Sequence, residues 1–262
     1  MKKFIQNIIN FFGYKIMKVK TTESTDLDRL TKLLITKADP IIFDVGANKG
    51  ESIQRYKKIF QSPIIHSFEP NIEGINVLKR KYINDKDLFL NNLAVGDKKG
   101  SLEFNINAKS SHSSFKNLIP NTTWLKKRSN SLKIDDKNYT IKKVNTEIIT
   151  LDEYVKEKNI SNIDILKIDT QGFEDKVLQG AQNLLKNNRI KLIQLELIFS
   201  EIYEKPLQIY DVEKTLVPNN YKLFGISNSG SLITYYLFQS DFIYISNDTY
   251  ENFKSISPYL NN

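Results

Sequence analysis

The chain has no cysteine among its 262 residues. Disulfides, thiolate metal sites and cysteine nucleophiles are therefore excluded together. Histidine is scarce as well: His66 and His112 are the only two, and they lie far apart in sequence. An imidazole-built zinc centre needs more ligands than that, and no residue is assigned to a metal. No uninterrupted apolar run approaches the roughly 20 residues of a membrane-spanning helix. Acidic charge is in deficit, with 30 Asp and Glu against 38 Lys and Arg, a formal net charge of +8. Most of the surplus sits in residues 108–142, where eight basic side chains face two acidic ones, a net +6. Such a stretch fits an anionic partner or a solvated lysine-rich loop.

What is present suits a globular α/β protein. Hydrophobic residues make up 40% of the chain, enough for a substantial core in one elaborated domain. Residues 1–20 read as a separate amphipathic arm, with the domain proper over 21–262 and a basic, lid-like insertion at about 108–142. In the arm Phe4, Ile8, Phe12 and Ile16 recur every four residues, flanked by Lys2, Lys3, Lys15, Lys18 and Lys20. Gln6, Asn7 and Asn10 interrupt any signal-peptide core, so a cytoplasmic protein is expected. The arm has two readings. It packs on protein, or it rests on the anionic inner face of the membrane.

From Ile41 onward, apolar strand-like runs alternate with helix-like ones. The strand-like runs are Ile41–Val45, Ile64–Phe68, Leu88–Ala94, Ile163–Asp169, Ile190–Leu197, Tyr221–Ile226 and Phe242–Ile245. The helix-like runs are Gly50–Phe60, Ile72–Ile83, Leu151–Lys158, Phe173–Lys186 and Gln208–Val217. This alternation predicts a mostly parallel sheet covered on both faces, with ligands beyond the carboxyl ends of its strands. The first strand runs into Asp44-Val45-Gly46-Ala47-Asn48-Lys49-Gly50. A dinucleotide fingerprint would carry a third glycine where Asn48 stands. Asn tolerates the left-handed backbone of a tight turn, but its side chain hinders the close approach of a pyrophosphate. The turn therefore points to an adenosine cofactor without a pyrophosphate, S-adenosylmethionine being the common one. Gly46 and Gly50 shape that turn, and Asp44 ends the strand as a hydrogen-bond acceptor. Glu69 ends the second strand, 19 residues beyond Gly50, where a carboxylate accepts from both ribose hydroxyls. Ala94 leaves room for an adenine ring and Asn92 offers an amide to its edge.

These residues resemble the FkbM family of S-adenosylmethionine-dependent methyltransferases. The resemblance runs through Phe43–Gly50, Phe68-Glu69-Pro70, Asn92–Asp97, Ser113-Ser114 and Thr150-Leu151-Asp152. It continues through Ile165–Glu174, Val177–Ala181, Gln194-Leu195-Glu196 and Ile202-Tyr203. Many members of the family have a Glu-Gly pair where this chain has Gln171-Gly172. The resemblance implies a Rossmann-like class I methyltransferase fold: a three-layer sandwich around a mostly parallel seven-stranded sheet with a reversed last strand. It also implies O-methylation of a hydroxyl, frequently on a sugar of a glycan.

Methyl transfer to a neutral hydroxyl is helped by a base that removes its proton. Asp169, at the carboxyl end of the fourth strand of the alternating pattern, is the first candidate base and a candidate cofactor contact. Lys167 lies two residues earlier on the same strand face and needs an anionic partner; Glu196 on the next strand is one. His112, whose unperturbed pKa of roughly 6.5 suits proton removal, is the second candidate base. Ser113, Ser114, Trp124 and Glu196 are candidate acceptor contacts, and the cations beside Trp124 would suit an anionic acceptor. His66, inside the second strand, is expected to be packed. Two other readings compete: an RNA-binding protein or RNA methyltransferase, motivated by the charge, and an NAD-dependent sugar oxidoreductase. No RNA-binding module is visible, no Asn-Pro-Pro-Tyr motif follows the fourth strand, and the dinucleotide glycine is missing.

Overall fold

The structure is a computed structural model that describes residues 26–227 and 238–256. The arm at residues 1–20 lies outside the described residues. The described chain opens with α1 (Asp26–Leu34), followed by β1 (Ile41–Val45), α2 (Glu51–Ile59), β2 (Ile64–Phe68), α3 (Ile72–Lys81) and β3 (Leu88–Asn91). Next come β4 (Ala94–Val95), β5 (Gly100–Asn107), α4 (Thr123–Leu132) and β6 (Thr140–Ile149). The chain continues through α5 (Leu151–Glu157), β7 (Ile163–Ile168), α6 (Glu174–Gln179), α7 (Gln182–Lys186) and β8 (Ile190–Ile198). It ends with α8 (Ile209–Leu216), β9 (Tyr221–Ile226), β10 (Gln239–Ser246) and α9 (Asn247–Ile256).

Seven strands form one sheet in the order β3-β2-β1-β7-β8-β10-β9. The pairings from β3 to β8 are parallel, and β10 runs antiparallel to both β8 and β9. This is the class I methyltransferase sheet with its reversed last strand, and the chain has that fold. Order reverses between β1 and β7, so the carboxyl ends of those two strands open a crevice.

Alternate side chains of the central strands feed two cores. Phe43, Val45, Leu166, Ile168 and Leu195 pack under α5, α6, α7 and α8. Ile42, Ile165, Leu192 and Ile243 pack under α1, α2 and α3. Because both faces are covered, β7 is buried at every position, as parallel strands require. His66 is packed, as its strand position predicts: it stacks on Phe89 with centroids 4.6 Å apart, and its Nδ1 lies 2.9 Å from the Tyr154 hydroxyl.

Three local differences from the sequence pattern have physical causes. The run Leu88–Ala94 is two strands, because Asn92 turns the chain: its amide donates to the carbonyls of Glu69 (2.9 Å) and Pro70 (3.0 Å). The run Phe173–Lys186 is two short helices, broken where Gly180 presses on the Gly96 carbonyl. Of residues 108–142, 108–139 lie between β5 and β6 and 140–142 begin β6; the two strands pair as an antiparallel ribbon and, with β4, form a second sheet. Exposed, mostly polar stretches interrupt both strands, at 100–103 in β5 and at 141–143 in β6, so the ribbon lacks the apolar runs that mark the main sheet. At the start of α5, Thr150 and Glu153 form the capping box that their spacing predicts. No helix among the described residues is long and apolar enough to cross a membrane.

Gly180 supplies a test of this packing. A Cβ there would stand 2.0 Å from the Gly96 carbonyl oxygen, while its φ of −79° strains nothing. Gly180→Ala is expected to destabilise the fold through overpacking alone, by about 1–3 kcal/mol. The urea midpoint measures it, and an unchanged midpoint would show that α6 and β4 do not meet as described.

Candidate active site

The site is built on a row of polar residues inside the sheet. Strand register sets Asp44 of β1 beside Lys167 of β7, and Lys167 beside Gln194 of β8. All three are buried. The Lys167 ammonium lies 3.5 Å from Asp44 Oδ1 and 3.3 Å from Asp169 Oδ2. Burial works against its charge, but Asp169 and Asp44 outweigh burial and hold Lys167 above the usual lysine range. Glu196 makes no ion pair with Lys167; its oxygens instead accept the amides of Gln171 (3.1 Å) and Gln239 (2.7 Å). Burial, with Asp169 and Asp241 adding to it, pushes the Glu196 carboxyl up to about 8.

Beyond this row the glycine turn closes against β7. A Cβ on Gly46 would stand 1.9 Å from the Asp169 carbonyl oxygen, and its φ is 88°. Only glycine lets the turn and the end of β7 meet so closely. Asn48 takes the left-handed backbone expected of it, at φ 45°. Its N–H donates to Glu69 Oε2 at 2.7 Å, and the Asn71 N–H donates to Glu69 Oε1 at 2.8 Å. Each oxygen keeps a further acceptor site. Burial pushes the Glu69 carboxyl up to about 7, although both N–H groups favour its charged form.

A cavity of about 360 Å³ lies over these groups. Gly46, Asn48, Glu69 and Ala94 line it at one end, with Phe68 and Val45 as apolar walls. Lys167, Asp169 and Gln171 line it at the carboxyl end of β7, and Ser110, Ser111 and Ser113 reach it from the insertion. Other residues singled out in the sequence stand behind the lining. Asp44 is fully buried and accepts Ser52 Oγ at 2.5 Å. Gly50 caps α2 at φ 85°. The Asn92 amide is spent on the two backbone carbonyls named above. Ser114 is buried and donates to the Gln171 carbonyl at 2.7 Å.

His112 and Trp124 are not brought to the cavity. The His112 ring lies between Trp124 and Tyr139, with centroids 4.9 and 6.1 Å away, and its Nδ1 is 2.7 Å from the Tyr139 hydroxyl. Burial, with Lys109 and Arg128 nearby, lowers its pKa to about 4. That geometry makes the pair an aromatic anchor for the insertion, with Arg128 over the Trp124 ring.

Sequence reasoning missed several lining residues. Glu51, Ser52 and Arg55 come from the first turns of α2, and Asp241 from β10. Those on α2 follow the glycine turn at helical spacing, a signal that was present. Asp241 had none: it arrives from the far end of the chain on the reversed strand, beside Glu196 in register.

The cavity suits S-adenosylmethionine by its lining: a carboxylate with free acceptor sites, a tight glycine turn and small or apolar walls. Comparison with known proteins agrees. The methyltransferase FkbM domain matches residues 44–235. A 2-O-methyltransferase, NoeI of Sinorhizobium fredii, is 24% identical over 200 residues, which cover 72% of this chain and 76% of that protein. The crystal structure of methyltransferase FkbM from Methylobacillus flagellatus superposes with a TM-score of 0.51 at 12% identity, over 79% of this chain. The chain spans 44% of the length of that larger protein. The domain match extends from the glycine turn past β9, and the chain belongs to the FkbM family of S-adenosylmethionine-dependent methyltransferases.

Proposed function

We propose that the protein O-methylates a hydroxyl of a sugar or related polyol. One observation carries the reading: the Asp169 carboxylate faces the same cavity as the glycine turn and Glu69, with a buried lysine behind it. The printed activity of the Sinorhizobium relative, a 2-O-methyltransferase, supports transfer to oxygen.

Bound S-adenosylmethionine supplies a sulfonium-activated methyl group. The chain's own residues do the rest. Glu69 accepts the ribose hydroxyls and fixes the cofactor lengthwise. Phe68, Leu93, Ala94 and Val95 provide the surface for the adenine. Asp169 accepts the proton of the acceptor hydroxyl, and Lys167 holds that carboxylate in place through an ion pair at 3.3 Å. Ser110, Ser111 and Ser113 offer hydroxyls to a polyol from the opposite wall. Lys116, packed against Gly172 and following the lining residue Phe115, is a cation suited to an acidic group elsewhere on the acceptor.

Glu69→Gln is expected to weaken S-adenosylmethionine binding roughly tenfold or more, because hydrogen bonds to a charged acceptor are worth about 1.5–3 kcal/mol. Calorimetry measures it, and unchanged affinity would remove the ribose assignment. The wild-type affinity carries a pH signature. Burial has raised the Glu69 pKa to about 7, so below that value a proton must leave before the ribose can bind. Affinity is expected to fall as pH drops from 8 to 6, and Glu69→Gln is expected to flatten that limb.

The reaction is tested by methyl-labelled S-adenosylmethionine offered with a panel of glycans and free sugars. Label recovered as a methyl ether supports the proposal; label recovered in RNA or on nitrogen sinks it. On the accepted sugar, Asp169→Asn is expected to lower turnover about 10²–10⁴-fold with cofactor affinity retained. Normal turnover in that variant would assign the proton to another group.

A further inference from the structure

Gln171 occupies a conformation that its side chain must repay in contacts. Its φ is 58°, in the left-handed region that disfavours a residue with a Cβ. Its neighbour Gly172 stands at φ 100°. Strain of this kind persists where surrounding contacts over-determine it.

Those contacts converge on the acids of the site. Gln171 Nε2 donates to Asp169 Oδ1 at 2.9 Å and to Glu196 Oε2 at 3.1 Å. Its Oε1 lies 3.0 Å from the Tyr203 hydroxyl, which also lies 2.8 Å from the His112 carbonyl. The single Tyr203 proton serves one of those oxygens at a time. Reversing the amide would aim its oxygen at two carboxyl groups, so the acids themselves fix its orientation. Asp169 is then gripped at both oxygens: Oδ1 by the amide, Oδ2 by the Lys167 ammonium at 3.3 Å.

The grip matters because of what surrounds Asp169. Glu196 on β8, Asp241 on β10 and Glu174 on α6 are acids close enough to act on it. Asp44 on β1 shares Lys167 with it. The buried Tyr203 hydroxyl is also within electrostatic reach of it. Opposing these are Lys167 itself and, behind Lys167 and Asp241, Arg55 on α2. Acids outnumber cations, and like charges favour a proton on one of the carboxylates. A neutral amide with two N–H groups relieves the crowding without adding charge, by giving one donor to each of two acids.

We propose that Gln171 is a positioning residue, whose amide clamps the Asp169 carboxylate against Lys167, ties it to Glu196 and fixes its orientation toward the cavity. This deepens the function proposed above and rests on it for the use made of Asp169; the clamp itself rests on geometry alone.

The clamp itself is tested without an acceptor, and turnover on the accepted sugar then separates it from the base assignment. The full chain is labelled with carboxyl-¹³C aspartate and glutamate, and the Asp169 signal is identified by its loss in Asp169→Asn. Its titration midpoint is compared in the wild type, in Gln171→Gly and in Gln171→Met. Gly suits the left-handed backbone, and Met keeps the length of the side chain without its donors. Both substitutions are expected to raise the Asp169 midpoint by roughly one pH unit, since a hydrogen bond to the charged form is lost beside unchanged acids. Calorimetry with S-adenosylmethionine at pH 7.5 is expected to stay within about threefold of wild type, as a factor of three is only about half of a tenfold step in free energy. A midpoint unmoved in both variants overturns the clamp, and so does loss of cofactor affinity without a shift, which would make Gln171 structural. If the midpoint moves while Asp169→Asn turns over normally, the clamp stands and the base assignment falls. The reverse result separates them the other way.

Discussion

The site depends on one buried charge. Lys167 sits in the middle of a parallel sheet, on a strand with no exposed position. An ammonium taken out of water costs several kcal/mol unless it is paired with good geometry. Two carboxylates meet that demand, Asp44 from the neighbouring strand and Asp169 from two residues further along its own. Neither arrangement is adjustable. Strand register fixes Asp44, and the close contact between Gly46 and the Asp169 carbonyl fixes the end of β7. Removing one partner from such a buried group typically costs about 3–5 kcal/mol, more than most single packing contacts. The lysine therefore ties the cofactor turn, the candidate base and the strand register into one unit.

That coupling explains which parts of the molecule were legible in the sequence. The strands of the main sheet are apolar runs bounded by turn residues, and the pattern is strongest in the inner ones, β2, β1, β7, β8 and β10, which are buried almost throughout. The ribbon β5–β6 is different. Half of it faces water, and neither strand stands out as an apolar run on either side of the basic stretch at 108–142. The break inside Phe173–Lys186 was hidden for another reason. Gly180 looks like one more tolerated glycine until Gly96, far away in sequence, is brought against it.

Among site residues the same division holds. Gly46, Asn48 and Glu69 were readable because they lie at strand ends with characteristic spacing, and the backbone of Asn48 does what an asparagine is suited to do. His112 was attractive for its chemistry alone. Nothing in its neighbourhood announced that Trp124 and Tyr139 would enclose it, because those rings come from α4 and from just before β6. Glu196 reads in the sequence as the partner of Lys167, but it makes no ion pair with that lysine and instead accepts the Gln171 amide that also holds Asp169. An amide bridge leaves no trace in charge patterning, whereas an ion pair does.

The cavity also separates two tasks that the sequence had left entangled. Its donor end is made of backbone turns and strand ends belonging to the main sheet, so it cannot change without disturbing the Lys167 row. Its other wall comes from the ribbon and the segment that follows it, through Phe104, Ser110, Ser111, Ser113 and Phe115. That wall is anchored at a distance, by the His112–Trp124–Tyr139 cluster and by the Ser114 hydroxyl on the Gln171 carbonyl. Substitutions at its serines would reshape this wall of the cavity while leaving the glycine-turn end intact. The excess cations of the insertion lie on this same element, whereas the groups beside Asp169 are mostly acids. An acceptor that follows this division presents a neutral hydroxyl to the carboxylate and keeps any acidic group of its own toward the ribbon.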